Sequence, residues 1–561
     1  MATDTSQPRN IVIIGGGIIG CTTAYFLTRH PAFNPAIHKI TLIEAQSIAS
    51  GASGKAGGLL ALWAYPANIV PLSYRLHAEL AKEHDGPKRW GYRTVHCGSV
   101  TAKGKLYDVG KKEAVVAGTD EWKKLPKTVK GKAPPVPTEI PKELDWFDHD
   151  TIKTYSVMGT PETTAQVHPY LFTTSMAELA VEKGVEVILG LVTALDYTGP
   201  NGIKGVTYED KATKHIHTLS ATDVVVAAGP WANHVFPEAP IEAIRAHSVV
   251  IKADVSANAV FTEIDLPKDF GIKDSSGTKR RKHGKTVNPE LYARPDGTIY
   301  ACGEGDYAVP LPKTSDLVVC DTSRCDDIHA YLSTISPTIR DSEVVAKQAC
   351  YLPLVLSGGG PIIGETGIRG LLLASGHTCW GIQNGPATGK LMSEFIFEGG
   401  AKSAHIDSLD PQNVIQTILQ MPLEFQNRMA HTIDTSIDTK LAPLARSAAA
   451  VQSKLNNLSG LQIASNELFI KNILETTQET SNTIRDHSLE VQAKTSSLHR
   501  SVDQMNTLIE SVSYLLQGLT AAQQSPTFSR DTTEVQAAAS GLWRGLWLII
   551  SSLYVLVRAF M

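Results

Sequence analysis

The sequence predicts an α/β protein of more than one domain, followed by an α-helical tail. Three observations carry that prediction. Over roughly the first 400 residues, strand-like and helix-like patterns alternate. Near the start, a β-branched run, a glycine-rich turn, a helical pattern and a second strand ending in an acid follow one another, the order of a dinucleotide-binding unit. From about residue 424, Gly and Pro become scarce and apolar residues recur at heptad spacing.

Size and composition fit this reading. The 561 residues are 42% hydrophobic and 19% charged, enough to bury a sizeable core. The formal net charge of −4 gives no electrostatic case for binding nucleic acid. Cys21, Cys97, Cys302, Cys320, Cys325, Cys350 and Cys379 are scattered, with no Cys-x-x-Cys, so neither a zinc site nor a disulfide framework is indicated. That pattern suits a reducing compartment. The N-terminus, MATDTSQPRN, has an acid and no apolar core and is not a signal peptide.

The first element is IVIIGGGIIGCTTAYFLTR, residues 11–29. Gly15 permits a tight turn, Gly17 lets a pyrophosphate approach the backbone, and Gly20 lets the helix pack on the strand. The helix N-terminus then offers its positive dipole end to phosphate. The strand KITLIE ends in Glu44, 24 residues after Gly20. A carboxylate there accepts hydrogen bonds from both ribose hydroxyls and argues against a 2′-phosphate. Next comes ASGASGKAGGLL (49–60), whose small residues let a loop pass close to a large flat ligand. Much later, DVVVAAGPWAN (223–233) and IRGLLLASGHTCWGIQNGPATGK (368–390) repeat the theme of an apolar strand running into a Gly-rich turn.

These segments resemble the D-amino-acid oxidase (DAO) superfamily of FAD-dependent oxidoreductases, which includes sarcosine, glycine and dimethylglycine oxidases. The resemblance covers about residues 9–400. It takes in QVHPYLFTTSMAELAVEKGVEVILG (166–190), YARPDGTIYACGE (292–304) and CYLPLVLSGGGPIIGET (350–366). The SGKAGG loop and RPDGTIYACGE look most similar to a fungal subgroup of oxidoreductases linked to endosomal traffic. The resemblance implies a Rossmann-like FAD-binding domain (9–85, 160–235 and 350–400) interleaved with an antiparallel-sheet substrate domain (86–159 and 236–349). It implies FAD contacts from Gly15, Gly17, Ile18, Ile19, Gly20, Glu44, Ala45, Ser50, Ser53, Gly54, Lys55, Gly57, Gly58, Leu59, Val192, Ala228, Gly229, Trp231, Gly376, His377, Gly381, Ile382 and Gln383. It also implies oxidation of a C–N bond in an amine or amino-acid-like substrate, by hydride transfer to flavin N5.

The residues around 374–390 are read in that light. Gly381 and Gly385 allow close backbone approach, and Pro386 suits a first helical turn. A helix N-terminus there stabilises negative charge on the flavin without a formal cation. His377 either lines the flavin or substrate, or fixes the loop. Trp380 walls the substrate cavity or covers the ring system. Simple oxidases of the family often carry a Lys near here to hold a substrate carboxylate; Trp380, Ile382 and Gln383 stand in its place. Arg294 is a candidate clamp for an anionic substrate, or pairs with a surface acid. His247 and Tyr292 are weaker candidates, and His168 punctuates a loop. Cys350 stands where sarcosine-type oxidases attach flavin covalently, against the commoner reading of a buried Cys. Lys55 stands where dimethylglycine-type enzymes have an attaching His. KRRKHGK (279–285) reads as a solvated insertion rather than a localisation tag, and 123–144 as a Pro/Lys-rich surface loop.

The tail reads as a coiled-coil or long-hairpin region over 424–520. Heptad positions run through Ile463, Ile470, Ile484, Val491, Leu498, Met505, Val512 and Leu519. Residues 463–519 predict self-association or a helical partner. After a polar linker (521–540) comes a short apolar segment, 541–560, with Trp543, Trp547, Tyr554 and Phe560 at its ends. It reads as a tail anchor, an interfacial helix or a buried core helix. A tail anchor places the protein on the cytoplasmic face of an endosome, peroxisome or mitochondrial outer membrane; otherwise it is cytoplasmic. Besides an enzyme acting on a small amine, a flavin-loaded scaffold recruited by the tail remains open, as does a joining of two genes.

Overall fold

The computed structural model describes residues 7–106, 139–198, 202–268, 270, 285–356 and 358–414. The coiled-coil, linker and apolar-segment expectations (424–560), and nearly all of 123–138 and 279–285, lie outside the described residues.

The first sheet has eight strands in the order Ile216–Ser220, Ile203–Asp210, Glu186–Tyr197, His38–Glu44, Arg9–Ile14, Asp223–Val226, Leu371–Ser375 and Ile362–Glu365. Its centre is parallel: Arg9–Ile14 pairs with His38–Glu44 on one side and Asp223–Val226 on the other. Such strands are buried on both faces, so they read as continuous apolar runs. Ile11, Val12 and Ile13 are accordingly at most 1% exposed. Helix Ile18–Leu27 packs on one face together with helices Val70–Glu83, Pro169–Val181 and Gly381–Glu398.

The second sheet has its main path in the order Val344–Val355, Ile241–Lys252, Thr298–Asp306, Glu290–Ala293, Asn258–Asp265, His96–Lys103 and Ile152–Gly159. It is antiparallel, as expected, except where Asn258–Asp265 runs parallel to His96–Lys103. Strand Val344–Val355 pairs with Ile241–Lys252 to its last residue, Val355 against Ile241. A boundary at residue 350 therefore falls inside a strand. Helices Thr322–Ser333 and Pro337–Asp341 close a second apolar core. Leu144, expected in a solvated loop, is fully buried in that core beside Trp146 and Phe147. The described part of the segment is a loop, but the solvated reading fails at Leu144 because the Pro/Lys-rich stretch ends by delivering an apolar side chain.

Among the described residues no helix is long and apolar enough to cross a membrane.

Candidate functional site

The glycine turn after Arg9–Ile14 is sterically compulsory at two of its positions. Gly15 has φ +110°, and a Cβ there would lie 2.5 Å from Ala227 O. A Cβ on Gly20 would lie 1.9 Å from Gly15 O. Gly17 differs: its backbone is extended, and a Cβ would meet only Ser53 Oγ, at 3.1 Å. No side chain of Gly17 can cap the helix that starts at Ile18. The Ile18 N–H donates instead to Ser53 Oγ at 2.9 Å. Glu44 accepts from Gly16 N–H at 2.7 Å and Gln46 N–H at 2.8 Å. Burial raises its carboxyl above the ordinary value, against the lowering effect of those two N–H groups. Gly16 was not singled out from sequence, although the triple glycine was visible. Its Cβ would strike Ile48 and Glu44.

The separated turns converge. The Gly15 turn abuts Ala227 and Ala228. Gly229 O accepts from Ser375 Oγ at 2.8 Å. Trp231 lies over Gly51 and donates its Nε1–H to Pro312 O at 2.6 Å. Ser50 Oγ and Ser315 Oγ are 2.7 Å apart. Residues 51–57 are each only half-buried, whereas Gly58, Leu59 and Leu60 are buried. Ala45 follows the Glu44 strand end. Val192 is different: its side chain lies in the apolar cluster with Val12, Ile14 and Ile43.

The 374–390 segment does two jobs. Helix Gly381–Glu398 begins five residues before Pro386, so Pro386 is inside the helix rather than in its first turn. Proline there removes the N–H that would bond to Ile382 O. His77 Nε2 lies 2.9 Å from that oxygen and supplies the missing donor. The next N–H, of Ala387, donates to Ser73 Oγ at 3.1 Å. Burial holds the His77 imidazole neutral, its pKa lowered to about 4. Gly385 and Gly389 serve helix packing rather than a ligand. A Cβ on Gly385 would lie 2.6 Å from Ile18 Cγ1, and one on Gly389 would lie 2.5 Å from the Thr22 backbone. Thr22 Oγ1 donates to Gly385 O at 2.8 Å.

His377 is 3% exposed, with Nε2 3.0 Å from Thr388 Oγ1. Thr388 donates to Asn384 O, so the imidazole donates to Thr388. Burial lowers the His377 pKa to about 3. The side chain thus ties the turn to its own helix as a neutral group. Gln383 accepts from Ala61 N–H at 2.7 Å through Oε1, while its buried Nε2 has no partner among the described residues. Ile382 is buried among helices. Gly381 is open, its nearest neighbour at 3.8 Å.

Trp380 stands in an aromatic chain. It meets Tyr65 at 6.1 Å and Trp63 at 5.5 Å between centroids; Trp63 meets Phe261 at 5.8 Å, Phe261 meets Tyr292 at 6.1 Å, and Tyr292 stacks on Tyr300 at 5.9 Å. Tyr292 packs against Gly57 and donates to Glu290 Oε2 at 2.6 Å. Sequence reasoning missed Trp63, Tyr65, Phe261 and Tyr300; the run ALWAYP after the glycine loop was the available signal. Arg294 ends the chain, 5.0 Å over the Tyr300 ring. It is 6% exposed, donates to Ala56 O at 2.7 Å, and its Nε has no partner among the described residues. No ion pair to it is found among the described residues, so it does not pair with a surface acid there. Burial lowers its pKa.

The remaining candidates lie elsewhere. Lys55 Nζ donates to Ala349 O at 3.1 Å, next to Cys350. Cys350 is buried among Ile244, Ala246 and Leu352, and burial pushes its thiol up to about 11. His247 is fully buried, accepts from Asp321 N–H at 3.1 Å, and has its pKa lowered to about 4, chiefly by burial. His168 caps helix Pro169–Val181, accepting from Leu171 N–H.

These residues fit FAD. The Gly15–Gly20 cradle, Glu44 and Ser53 suit the pyrophosphate and ribose. The half-buried 51–57 loop, Gly381 and the unpartnered Gln383 amide suit the flavin end. Comparison with known proteins agrees. Residues 10–395 match the family model described as FAD dependent oxidoreductase, DAO. The TDA3 protein of Saccharomyces cerevisiae is 35% identical over 510 residues, covering 72% of this chain and 94% of the yeast chain. The C1F5.03c protein of Schizosaccharomyces pombe is 35% identical over 428 residues, covering 73% of this chain and all of that one, 100%. Among solved structures, L-proline dehydrogenase from P. horikoshii aligns with a TM-score of 0.50 at 19% identity, covering 73% of this chain and 99% of that one. That likeness is one of fold.

Proposed function

This chain belongs to the DAO family of FAD-dependent oxidoreductases, and we propose that it oxidises the C–N bond of an amine or amino-acid-like substrate, which gives up a hydride and hydrolyses as the imine. Bound FAD supplies the two-electron acceptor for that chemistry. The chain supplies position and environment. Gly15, Gly17, Gly20, Glu44 and Ser53 hold the nucleotide, and the N-terminus of helix Gly381–Glu398, which no side chain caps, offers its positive dipole end to negative charge. Trp63, Tyr65, Trp380, Phe261 and Tyr292 form an apolar wall that excludes water and takes the substrate's carbon skeleton. No side-chain acid or base is required once the amine is deprotonated.

The observation that carries the substrate reading is Arg294. A buried guanidinium without a carboxylate partner costs several kcal/mol. A substrate carboxylate offsets that cost, and so replaces the family's frequent Lys with a cation from the second sheet. The test is anaerobic. FAD-loaded protein is mixed with a panel of amines and amino acids, and bleaching of the flavin absorbance is read. A carboxylated amine is expected to bleach it. If dithionite reduces the flavin and no amine does, the enzyme reading falls and the scaffold reading takes its place.

We also propose that residues 541–560 hold the protein at the cytoplasmic face of an intracellular membrane, and that 463–519 bind a helical partner or a second copy. Both rest on sequence. Fractionation of the full chain against one ending at residue 423 tests them.

A further inference from the structure

We propose that Cys320 and Cys325 form a reversible dithiol–disulfide pair, oxidised by hydroperoxides, at the N-terminus of helix Thr322–Ser333. The two sulfurs lie 3.7 Å apart. Asp321 is the N-cap, its carboxylate accepting from Ser323 N–H. Cys320 therefore stands just before the cap and Cys325 four residues into the helix. Those are the positions that a hydrophobic staple brings into contact. Here the staple is made of two thiols, so the capping geometry itself holds them together.

The two sulfurs are not equivalent. Cys320 is half-exposed and lies on the loop, while Cys325 is fully buried. Cys325 Sγ is packed 3.5 Å from Ser248 O, on strand Ile241–Lys252. Beside Cys320, Arg245, paired with Asp306, donates its Nη1–H to Val319 O at 2.9 Å and brings a cation near the outer thiol, against the opposing carboxylate of Asp321. The hydrogen bond from Cys325 lowers the Cys320 pKa and raises that of Cys325. A partly exposed thiol near a cation and a helix N-terminus is the kind that ionises and reacts. Forming a bond near 2.0 Å asks for a closure of about 1.7 Å, within reach of a loop residue beside a fixed one.

The chemistry balances without a metal. The Cys320 thiolate attacks one peroxide oxygen and the O–O bond breaks. The other oxygen leaves as alcohol, or as water from hydrogen peroxide, after taking a proton. Cys320 is then a sulfenic acid. The Cys325 thiol attacks that sulfur, and its proton goes to the departing hydroxide, which leaves as water. Two thiols have lost two electrons and the peroxide has gained them. A dithiol reductant reverses the change by exchange.

The test uses full-length, FAD-loaded protein and trypsin. Arg324 lies between the two cysteines, and cleavage after Lys313, Arg324 and Arg340 puts Cys320 and Cys325 on separate peptides, 314–324 and 325–340. Only the disulfide keeps them joined. After treatment with hydrogen peroxide or tert-butyl hydroperoxide, the joined pair is expected in the mass spectrum, lighter than the sum by two hydrogens and split by dithiothreitol. In Cys325→Ser, Cys320 is expected to be trapped by dimedone, about tenfold faster than the buried Cys97. In Cys320→Ser, Cys325 stays unmodified. Flavin absorbance shows that each variant is folded. The proposal is overturned if both thiols remain alkylatable after peroxide. It is also overturned if the joined pair appears only in guanidinium, or if Cys320 in the Cys325→Ser variant reacts no faster than Cys97.

Discussion

Two glycines of one turn are expected to fail differently when changed to alanine, and the difference separates holding the fold from holding the cofactor. In Gly20→Ala the new Cβ lies 1.9 Å from Gly15 O, where real contacts stay beyond 3.0 Å. The helix must shift by more than an ångström from the strand it packs on, so the cost is of the overpacking kind, about 1–3 kcal/mol. In Gly17→Ala the backbone, at φ −78° and ψ −179°, suits any residue, and the methyl meets only the Ser53 hydroxyl at 3.1 Å. Stability should stay within about 0.5 kcal/mol of the parent. The methyl stands where the pyrophosphate approaches the backbone, so FAD should bind at least about tenfold more weakly, about 1.4 kcal/mol. Apoprotein is titrated with FAD by quenching of flavin fluorescence, and the thermal midpoint is read on the same samples. A Gly17→Ala protein that binds FAD as tightly as the parent refutes the assignment of this turn to phosphate. A Gly20→Ala protein with the parent midpoint refutes the packing argument.

Arg294→Met is expected to keep FAD and raise KM about tenfold or more for carboxylated substrates, with little change for uncharged amines; equal effects on both would remove the carboxylate assignment. His77→Ala leaves Ile382 O without its donor beside Pro386, and should cost about 1–3 kcal/mol for the orphaned carbonyl, read as a lower thermal midpoint. His77, His247 and His377 are buried neutral, with pKa values lowered to about 4, about 4 and about 3. The unfolded chain therefore binds protons that the folded chain refuses, and stability should fall as pH drops from about 6.5 toward 4, by at most a few kcal/mol per residue. A thermal midpoint that stays flat over that window contradicts neutral burial.

The nucleotide end was legible because its chemistry is local. Gly15, Gly17, Gly20 and Glu44 fall within one strand–helix–strand unit, and Gly15, Gly20 and Glu44 each answer to a short-range steric or hydrogen-bonding demand. The sheet order was not legible. Strands beginning at Arg9, His38, Glu186, Asp223 and Leu371 lie side by side, and nothing in their apolar runs specifies the neighbour. Pro386 shows how a local rule is overridden. Proline inside a helix strands a carbonyl, but His77 and Ser73, some three hundred residues earlier, supply the compensation. The aromatic chain was missed for the same reason, since Trp63, Phe261 and Trp380 meet only when two sheets are assembled.

Most of the 374–390 segment belongs to packing: Gly385 and Gly389 let two helices touch, and His377 and Thr388 lock the turn. Gln383 is the exception that packing does not account for. Ala61 N–H fixes which end of the amide is oxygen, so the other end is the NH₂ group. That group is buried with no partner among the described residues. An unmade buried donor costs about 1–3 kcal/mol, and an apolar residue of similar shape would avoid the cost. A chain that keeps the amide here, beside an uncapped helix start and an open glycine, holds a donor for something other than itself. Under the proposed function, the acceptor that fits is the flavin.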